Sequence, residues 1–260
     1  MSLVPRTQTH QELADHLKAL HLPTIKGCYQ EQAELARRES LSYEQYLLEL
    51  VTRECEIRHY NRTMRLLRES RLPLEKSLET FDRQRLPQKV NTLVNTLIEG
   101  AFLDRAENLL AFGPPGVGKT HLLCGIAQAL IYQGRRILFL PCNLLVQDLL
   151  AAKRDLTLPR LLARLGKYDA LLIDDIGYVQ HSREEMEVLF SLLSHRYERK
   201  SLLITSNLPF SGWETIFKDP MTTAAAIDRL VHHCIILELN LQSYRLEQAQ
   251  KTASDQNKAT

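Results

Sequence analysis

The sequence predicts an α/β protein in which a parallel sheet carries helices on both faces, preceded by a small all-helical unit. Three observations predict it. Short apolar runs alternate with helical stretches of ten or more residues from position 107 onward. A glycine-rich loop, GPPGVGKT (113–120), stands between the first run and a helix, and residues 8–72 contain no run that reads as a strand.

Taken in order, Leu13, Leu17 and Leu20, then Tyr43, Tyr46, Leu47 and Leu50, recur at helical spacing. Ser42 followed by Gln45 fits a capping box opening a long helix, and Pro73 marks where that helix has ended. Near its end, IRHYNRTMRLLRESRL (57–72) puts Arg58, Arg62 and Arg65 on one face at about 100° per residue, with Tyr60, Met64 and Leu67 opposite. Arginines so placed can lie along a phosphate backbone; a plain solvated helix face is the other reading. The polar stretch 73–88, with two prolines, reads as a linker, although its Phe81 also suits a place near a purine base. This gives a helical unit over 1–72, a linker over 73–88, an α/β unit over 89–247 and a disordered tail over 248–260.

The expected strands are NLLAF (108–112), RILFL (136–140), ALLID (170–174), SLLIT (201–205) and CIILEL (234–239). Apolar residues on both faces of strands separated by helices indicate a parallel, covered sheet. The loop between the first strand and its helix has the form of a phosphate-binding loop. Gly113, Gly116 and Gly118, with Pro114, Pro115 and Val117 between them, let successive N–H groups point inward toward an anion at the helix N-terminus. Lys119 would neutralise the β- and γ-phosphates of ATP, and the Thr120 hydroxyl would join the coordination shell of Mg²⁺.

ALLIDDIG delivers Asp174 to the same sheet edge, where a carboxylate can hold magnesium through water, and Asp175 one residue on, where it can polarise an attacking water. A pair of surface carboxylates at a strand end is the bland alternative. SLLIT runs into SNLP, which puts Asn207 at that edge; its carboxamide can align the water, and Asn-Leu-Pro is also a good turn sequence.

The chain has 260 residues, 44% hydrophobic and 25% charged, with net charge +2, which is ordinary globular composition and too mild a charge to establish a nucleic-acid partner. Five cysteines without a C-x-x-C pair read as reduced thiols, mostly buried, and no apolar run approaches the roughly 18 residues of a membrane span. The expectation is a cytoplasmic protein. His121 directly follows the loop threonine, and His232-His233 stand without a third ligand at metal spacing in the sequence, which argues against zinc. Trp213 reads as a packing residue.

The combination of GPPGVGKT, LLIDDIGY, ITSNLPF and AAAIDRLVHH, in this order, resembles the IstB-like ATPases, helper proteins of insertion sequences and relatives of DnaC-type helicase loaders within the AAA+ class of P-loop NTPases. The likeness is specific over about 70–247 and looser before it. It implies strand order 5-1-4-3-2 and a nucleotide held between subunits of a homo-oligomer formed with ATP and DNA. On it Asp174 is the magnesium-site acid, Asp175 the catalytic acid, Asn207 the first sensor and Arg229 the finger that reaches a neighbour's phosphate. Arg229 otherwise belongs to a helix-start Asp-Arg pair that serves capping and a surface ion pair. The resemblance also places Lys153 and Arg154 in a region that faces DNA, and implies duplex DNA and a transposase as partners.

Two departures stand out. About twenty residues follow Leu239, too few for the helical lid of many AAA+ proteins, so the lid-borne second sensor is expected to be absent; Arg245 could partly substitute for it, and a solvated basic residue is the other reading. Asp175 stands where glutamate is commoner. The expected function is ATP hydrolysis in support of DNA transposition, with helicase loading as the alternative. A small-molecule kinase would need an arginine-rich closing insert that does not follow the third strand, and a non-hydrolysing ATP-gated scaffold is separated by turnover.

Overall fold

A computed structural model describes residues 6–177, 182–213 and 220–244. The chain divides into two compact units, residues 1–65 and 66–260. The first comprises α1 (Arg6–Ala19), α2 (Pro23–Arg38) and most of α3 (Tyr43–Ser70). Leu17, Ile25, Tyr29 and Leu50 form its core. The capping box is present: Ser42 Oγ accepts from the Gln45 N–H at 3.2 Å, and Gln45 Oε1 accepts from the Ser42 N–H at 2.8 Å. α2 begins with proline and has no side-chain cap of its own. Buried Glu54 of α3 supplies one, accepting from the Thr24 and Ile25 N–H groups at 2.9 and 3.1 Å.

Arg58 completes that arrangement, donating to Glu54 at 2.7 Å and to the His21 carbonyl. Burial alone would raise the Glu54 carboxyl, but the Arg58 hydrogen bond and two backbone donors outweigh it and hold the group below its ordinary range. Arg58, exposed like Arg62 and Arg65 with which the helical wheel groups it, thus has a structural role in holding the Glu54 cap. The expected inner face also differs. Tyr60 and Met64 are 60% and 40% exposed, whereas Thr63, Leu66, Leu67 and Ser70 are buried. The buried set follows i, i+3, i+4, i+7 spacing but includes two small hydroxyl residues that an apolar pattern does not count. Ser70 satisfies its hydroxyl on the Leu67 carbonyl at 2.6 Å.

In the second unit α4 (Gln88–Ile98) and the short α5 (Ala101–Asp104) precede β1 (Asn108–Phe112) and α6 (Lys119–Tyr132). Then come β2 (Ile137–Pro141), α7 (Cys142–Arg154), α8 (Leu158–Leu165), β3 (Ala170–Ile176), α9 (Arg183–Arg196), β4 (Ser201–Ser206), α10 (Pro220–Val231) and β5 (Cys234–Glu238). The sheet order is β2-β3-β4-β1-β5 with every pairing parallel, which is the expected 5-1-4-3-2 read from the other end.

Alternation along each strand feeds two cores. Leu109 and Ala111 of β1 join Leu122 and Ile126 of α6 on one face, while Leu110 and Phe112 join Leu145 of α7 and Leu189 of α9 on the other. Burial on both faces, worth about 1.5–3 kcal/mol for each large side chain, is why the strands read as unbroken apolar runs. Trp213 packs on Phe210 and Phe112, with ring centroids 5.2 and 6.3 Å away.

The stretch 73–88 is not a free linker. Gln128 of α6 donates to the carbonyls of Pro73, Leu74 and Lys76 at 3.4, 3.3 and 3.1 Å. Leu78 lies against Gly125, where an added Cβ would sit 2.8 Å from the Leu78 nitrogen. These residues belong to the α/β unit, whose boundary falls at Leu66 inside α3. Their polar composition hides three apolar anchors: Leu86, which is buried in its core, and Leu78 and Phe81, which pack against it.

Because every strand is parallel, the sheet has two chemically distinct edges. At the edge where the strands begin, Asn108 donates through Nδ2 to the Leu230 carbonyl at 3.1 Å and accepts through Oδ1 from the Leu202 N–H at 2.9 Å. Buried Arg196 donates there to the carbonyls of Leu165, Tyr168, Asp169 and Ser201 at 2.9–3.3 Å. Burial pulls its guanidinium down to about 10, so it stays charged at neutral pH. The edge where the strands end carries the glycine-rich loop.

Candidate nucleotide site

β1 ends at Phe112 and the loop begins at once, so backbone geometry decides what the loop can be. Gly116 and Gly118 lie at φ +82° and +98°, a region that costs a residue with a Cβ about 1–2 kcal/mol. Space forbids a side chain as well. A Cβ on Gly118 would come within 2.8 Å of the Phe81 ring, and one on Gly113 within 2.4 Å of the Leu239 carbonyl oxygen. The loop is therefore a cradle of bare backbone at the N-terminus of α6, closed on one side by Phe81 and on another by the chain leaving β5. That chain is stitched to it by Leu239 N–H to the Phe112 carbonyl at 2.8 Å and Tyr244 N–H to the Gly116 carbonyl at 3.0 Å.

Lys119, 6% exposed, donates from Nζ to the carbonyls of Gly113 and Pro114 at 2.8 and 2.9 Å. Its ammonium thus sits over the loop, where an anion would meet it. Next to it, the Thr120 hydroxyl donates to Asp174 Oδ1 at 2.7 Å. Asp174, at the end of β3, also accepts from the Thr205 hydroxyl at 2.6 Å, and Thr205 Oγ1 in turn accepts the Asp175 N–H at 2.8 Å. Two strands and the first turn of α6 thereby converge on one carboxylate. The donors are hydroxyl and carboxylate oxygens, a hard set that suits Mg²⁺ beside a polyphosphate.

β3 does not end as a straight strand. Its pairing with β4 shifts between Ile173 and Ile176, and Asp175 stands at φ +59°. This bulge leaves Asp174 half-buried and turns Asp175 out to solvent, so adjacent carboxylates take different environments. Register places Asn207 as well. Phe112 pairs with Ser206, so Asn207 is abreast of Gly113, and Ser206 Oγ bends the chain there by accepting the Leu208 N–H at 3.1 Å.

Other predicted residues sit elsewhere. His121 faces the 77–81 stretch, with Nε2 2.9 Å from the Ser77 carbonyl and 3.1 Å from Thr80 Oγ1, and its ring meets Phe81 edge-on. Its side chain holds the cover of the loop. Arg229 is at the opposite edge: Leu230, its neighbour, is bonded to Asn108 where β1 begins. At about 3.3 Å per residue, β1 alone separates the two edges by roughly 13 Å. There Arg229 donates to its own helix at Ala225, 2.9 Å away, and lies 4.8 Å over the Phe190 ring of α9. Lys153 is paired with Glu187 at 2.7 Å, and Arg154 is exposed. Arg245 lies outside the described residues.

Two groupings were not visible in the sequence. Thr205 is the hinge of the carboxylate cluster, its only sequence signal being a hydroxyl residue ending an apolar strand. Glu198 joins His232 and His233, their ligand-type atoms lying within 4.8 Å of one another, although spacing alone gives the histidines no third partner. The five cysteines are all free thiols; Cys124 and Cys142 are buried, which pushes both up to about 12 and leaves them inert, whereas Cys55 is exposed. No helix among the described residues is long and apolar enough to cross a membrane.

The sequence profile of the family described as IstB-like ATP-binding protein matches residues 15–252. An insertion-sequence ATP-binding protein of Sinorhizobium fredii is 42% identical over 250 residues, covering 96% of this chain and 84% of its own. The ATP-binding protein of insertion sequence IS21 from Pseudomonas aeruginosa is 36% identical, covering 92% of this chain and 91% of its own. Among solved structures, the DnaC helicase loader superposes with a TM-score of 0.55 at 18% identity, covering 64% of this chain and 97% of its own. AMPPCP-bound DnaA from Aquifex aeolicus superposes with 0.53 at 18% identity, covering 72% and 57%. These likenesses show a shared AAA+ P-loop fold. The chain belongs to the IstB-like ATP-binding family.

Proposed function

We propose that the protein is a Mg²⁺-dependent ATPase that assembles as a homo-oligomer on duplex DNA and there recruits or stimulates a transposase. The observation that carries the reading is the division of charges between the two sheet edges. One edge has the phosphate cradle, Lys119 and the acids; the other has Arg229. A cation so far from its own loop can meet transition-state charge only in a neighbouring copy, where it would accelerate turnover by ~10³–10⁵.

Within one copy, loop N–H groups and Lys119 bind and orient the phosphates. Thr120 and Asp174 would hold magnesium, which neutralises phosphate charge when bound. Thr205 fixes the Asp174 carboxylate, exposed Asp175 takes up the proton of the attacking water, and Asn207 aligns that water. The short arm of Asp175 suits slow intrinsic hydrolysis, as in a timing switch. Exposed Arg62, Arg65 and Arg154 are the cations offered to DNA; replacing Arg62 and Arg65 should weaken binding at every sequence and flatten its salt slope by about 0.9 per lost contact.

The test of the shared site mixes two inactive proteins, Arg229→Ala and Asp175→Asn. Interfaces that pair the first protein's intact acid with the second's intact arginine should recover turnover. No recovery, with each variant still binding ATP and assembling, overturns the reading. Capture on immobilised protein of a helicase instead of a transposase would reassign the partner.

A further inference from the structure

The edge where the strands begin carries a second constellation that ATP chemistry does not use. Glu198 in the α9–β4 turn and His232 with His233 in the α10–β5 turn bring one carboxylate and two imidazoles together, their ligand-type atoms within 4.8 Å of one another. Glu198 Oε1 is 3.9 Å from His232 Nδ1, and the two imidazole rings are 4.2 Å apart at 61°. We propose that these three side chains form a binding site for a borderline divalent transition metal of the zinc class, with the remaining position open to water.

Three features of the fold support it. The donor set of two imidazole nitrogens and one carboxylate oxygen is one that Zn²⁺ takes in three-ligand open sites, and Mg²⁺ does not favour. The scaffold is fixed before any ion arrives. Arg196 gathers four carbonyls under the α9–β4 turn, and Glu198 holds a left-handed backbone at φ +56° within it. The His233 carbonyl accepts the Asn108 N–H at 2.8 Å, and Asn108 also bonds Leu230 and Leu202, so a single buried residue ties both turns to β1. Finally, an outer partner is in place: the Tyr197 hydroxyl is 3.2 Å from His232 Nδ1, the kind of contact that sets the tautomer and orientation of a ligating ring, and it would leave Nε2 of that ring to take the ion. An ion here would clasp the two turns and stiffen the last turn of α10, where His232 N–H bonds the Asp228 carbonyl one residue before Arg229.

The proposal is independent of the nucleotide reading and is tested without turnover. Full-length, tag-free protein, kept reduced and in excess Mg²⁺ to occupy oxygen sites, is titrated with Zn²⁺ against a chromophoric chelator and with Co²⁺ by absorption. One equivalent should bind, with a cobalt spectrum of nitrogen and oxygen ligation and no thiolate charge-transfer band. His232→Ala with His233→Ala should abolish that equivalent, Glu198→Gln should weaken it at least tenfold, and Tyr197→Phe should weaken it about 10–100-fold as an outer-shell loss does. The exposed ligand residues can change without unfolding the chain, and the thermal midpoint without metal should stay put in each variant while the metal-induced rise is lost. Undiminished binding in the double histidine variant, a thiolate band, or no equivalent bound by the wild type overturns it.

Discussion

The two edges of the sheet are built from the same strands yet hold their charges in opposite ways. At the edge where strands end, charged groups are positioned by backbone: glycines at positive φ, a bulge at Asp175, and a helix that starts at Lys119. Bonds from α6 and β4 reach the acid of β3, so the carboxylate of Asp174 answers to two hydroxyls. At the edge where strands begin, Arg229 is held by the side of its own helix and by an aromatic face. A site made by backbone is complete in one chain, whereas a cation held by weak side-chain contacts can leave them. On the proposed function, the contrast means that the catalytic set is divided by a strand's length and is reunited only between copies.

The widest break in that comparison comes from Arg229→Ala. Turnover should fall by ~10³–10⁵ while ATP affinity stays within a few-fold, because the loop and Lys119 are untouched. Equilibrium nucleotide binding measured beside steady-state hydrolysis checks it; a parallel loss of binding would put Arg229 in the service of its own subunit's site.

Thr205→Val removes the hydroxyl that orders both acids while preserving shape. It should raise the magnesium concentration needed for half-maximal turnover about 10–100-fold, as outer-shell partners do, with nucleotide affinity in the absence of metal unchanged. Serine at this position restores the hydroxyl and should rescue the magnesium response, which a purely structural role for the methyl group would not allow.

How far the sequence carried these edges follows from where their information lies. The loop was legible because its residues are contiguous and glycine has a steric reason at Gly116 and Gly118. The strands were legible because burial on two faces makes their central residues an unbroken apolar run. The contacts of Thr205 and Asn108, and that of Glu198 with His232, span 30 or more positions, and no local pattern marks such contacts. Residues 73–88 misled for a related reason: the groove that receives Leu78 exists because position 125 lacks a side chain. On α3 the inner face includes Thr63 and Ser70, which a count of apolar residues passes over.

At the other edge, Asn108→Ala should lower stability by about 1–3 kcal/mol, since the Leu230 carbonyl and Leu202 N–H lose a buried partner. Denaturant unfolding reads the loss. ATP affinity at the far end of β1 should change little, because the loop's own bonds remain; a collapse of nucleotide binding would mean that the edges are mechanically one.

The finest of these tests concerns the seat of Arg229. Its contact with the Phe190 ring is worth about 0.5–1 kcal/mol at a partly exposed position, and the arginine gives it up on reaching toward another copy. Phe190→Leu removes the aromatic face and retains a bulky apolar side chain, so the cost of departure falls by that amount. With a tenfold change for every 1.4 kcal/mol, turnover at limiting protein concentration should rise about 2–5-fold, and the rise should vanish in Arg229→Ala. Slower turnover with assembly intact would show that the ring aims Arg229 outward, and the seat on α9 would then be the working position instead of the one that is left.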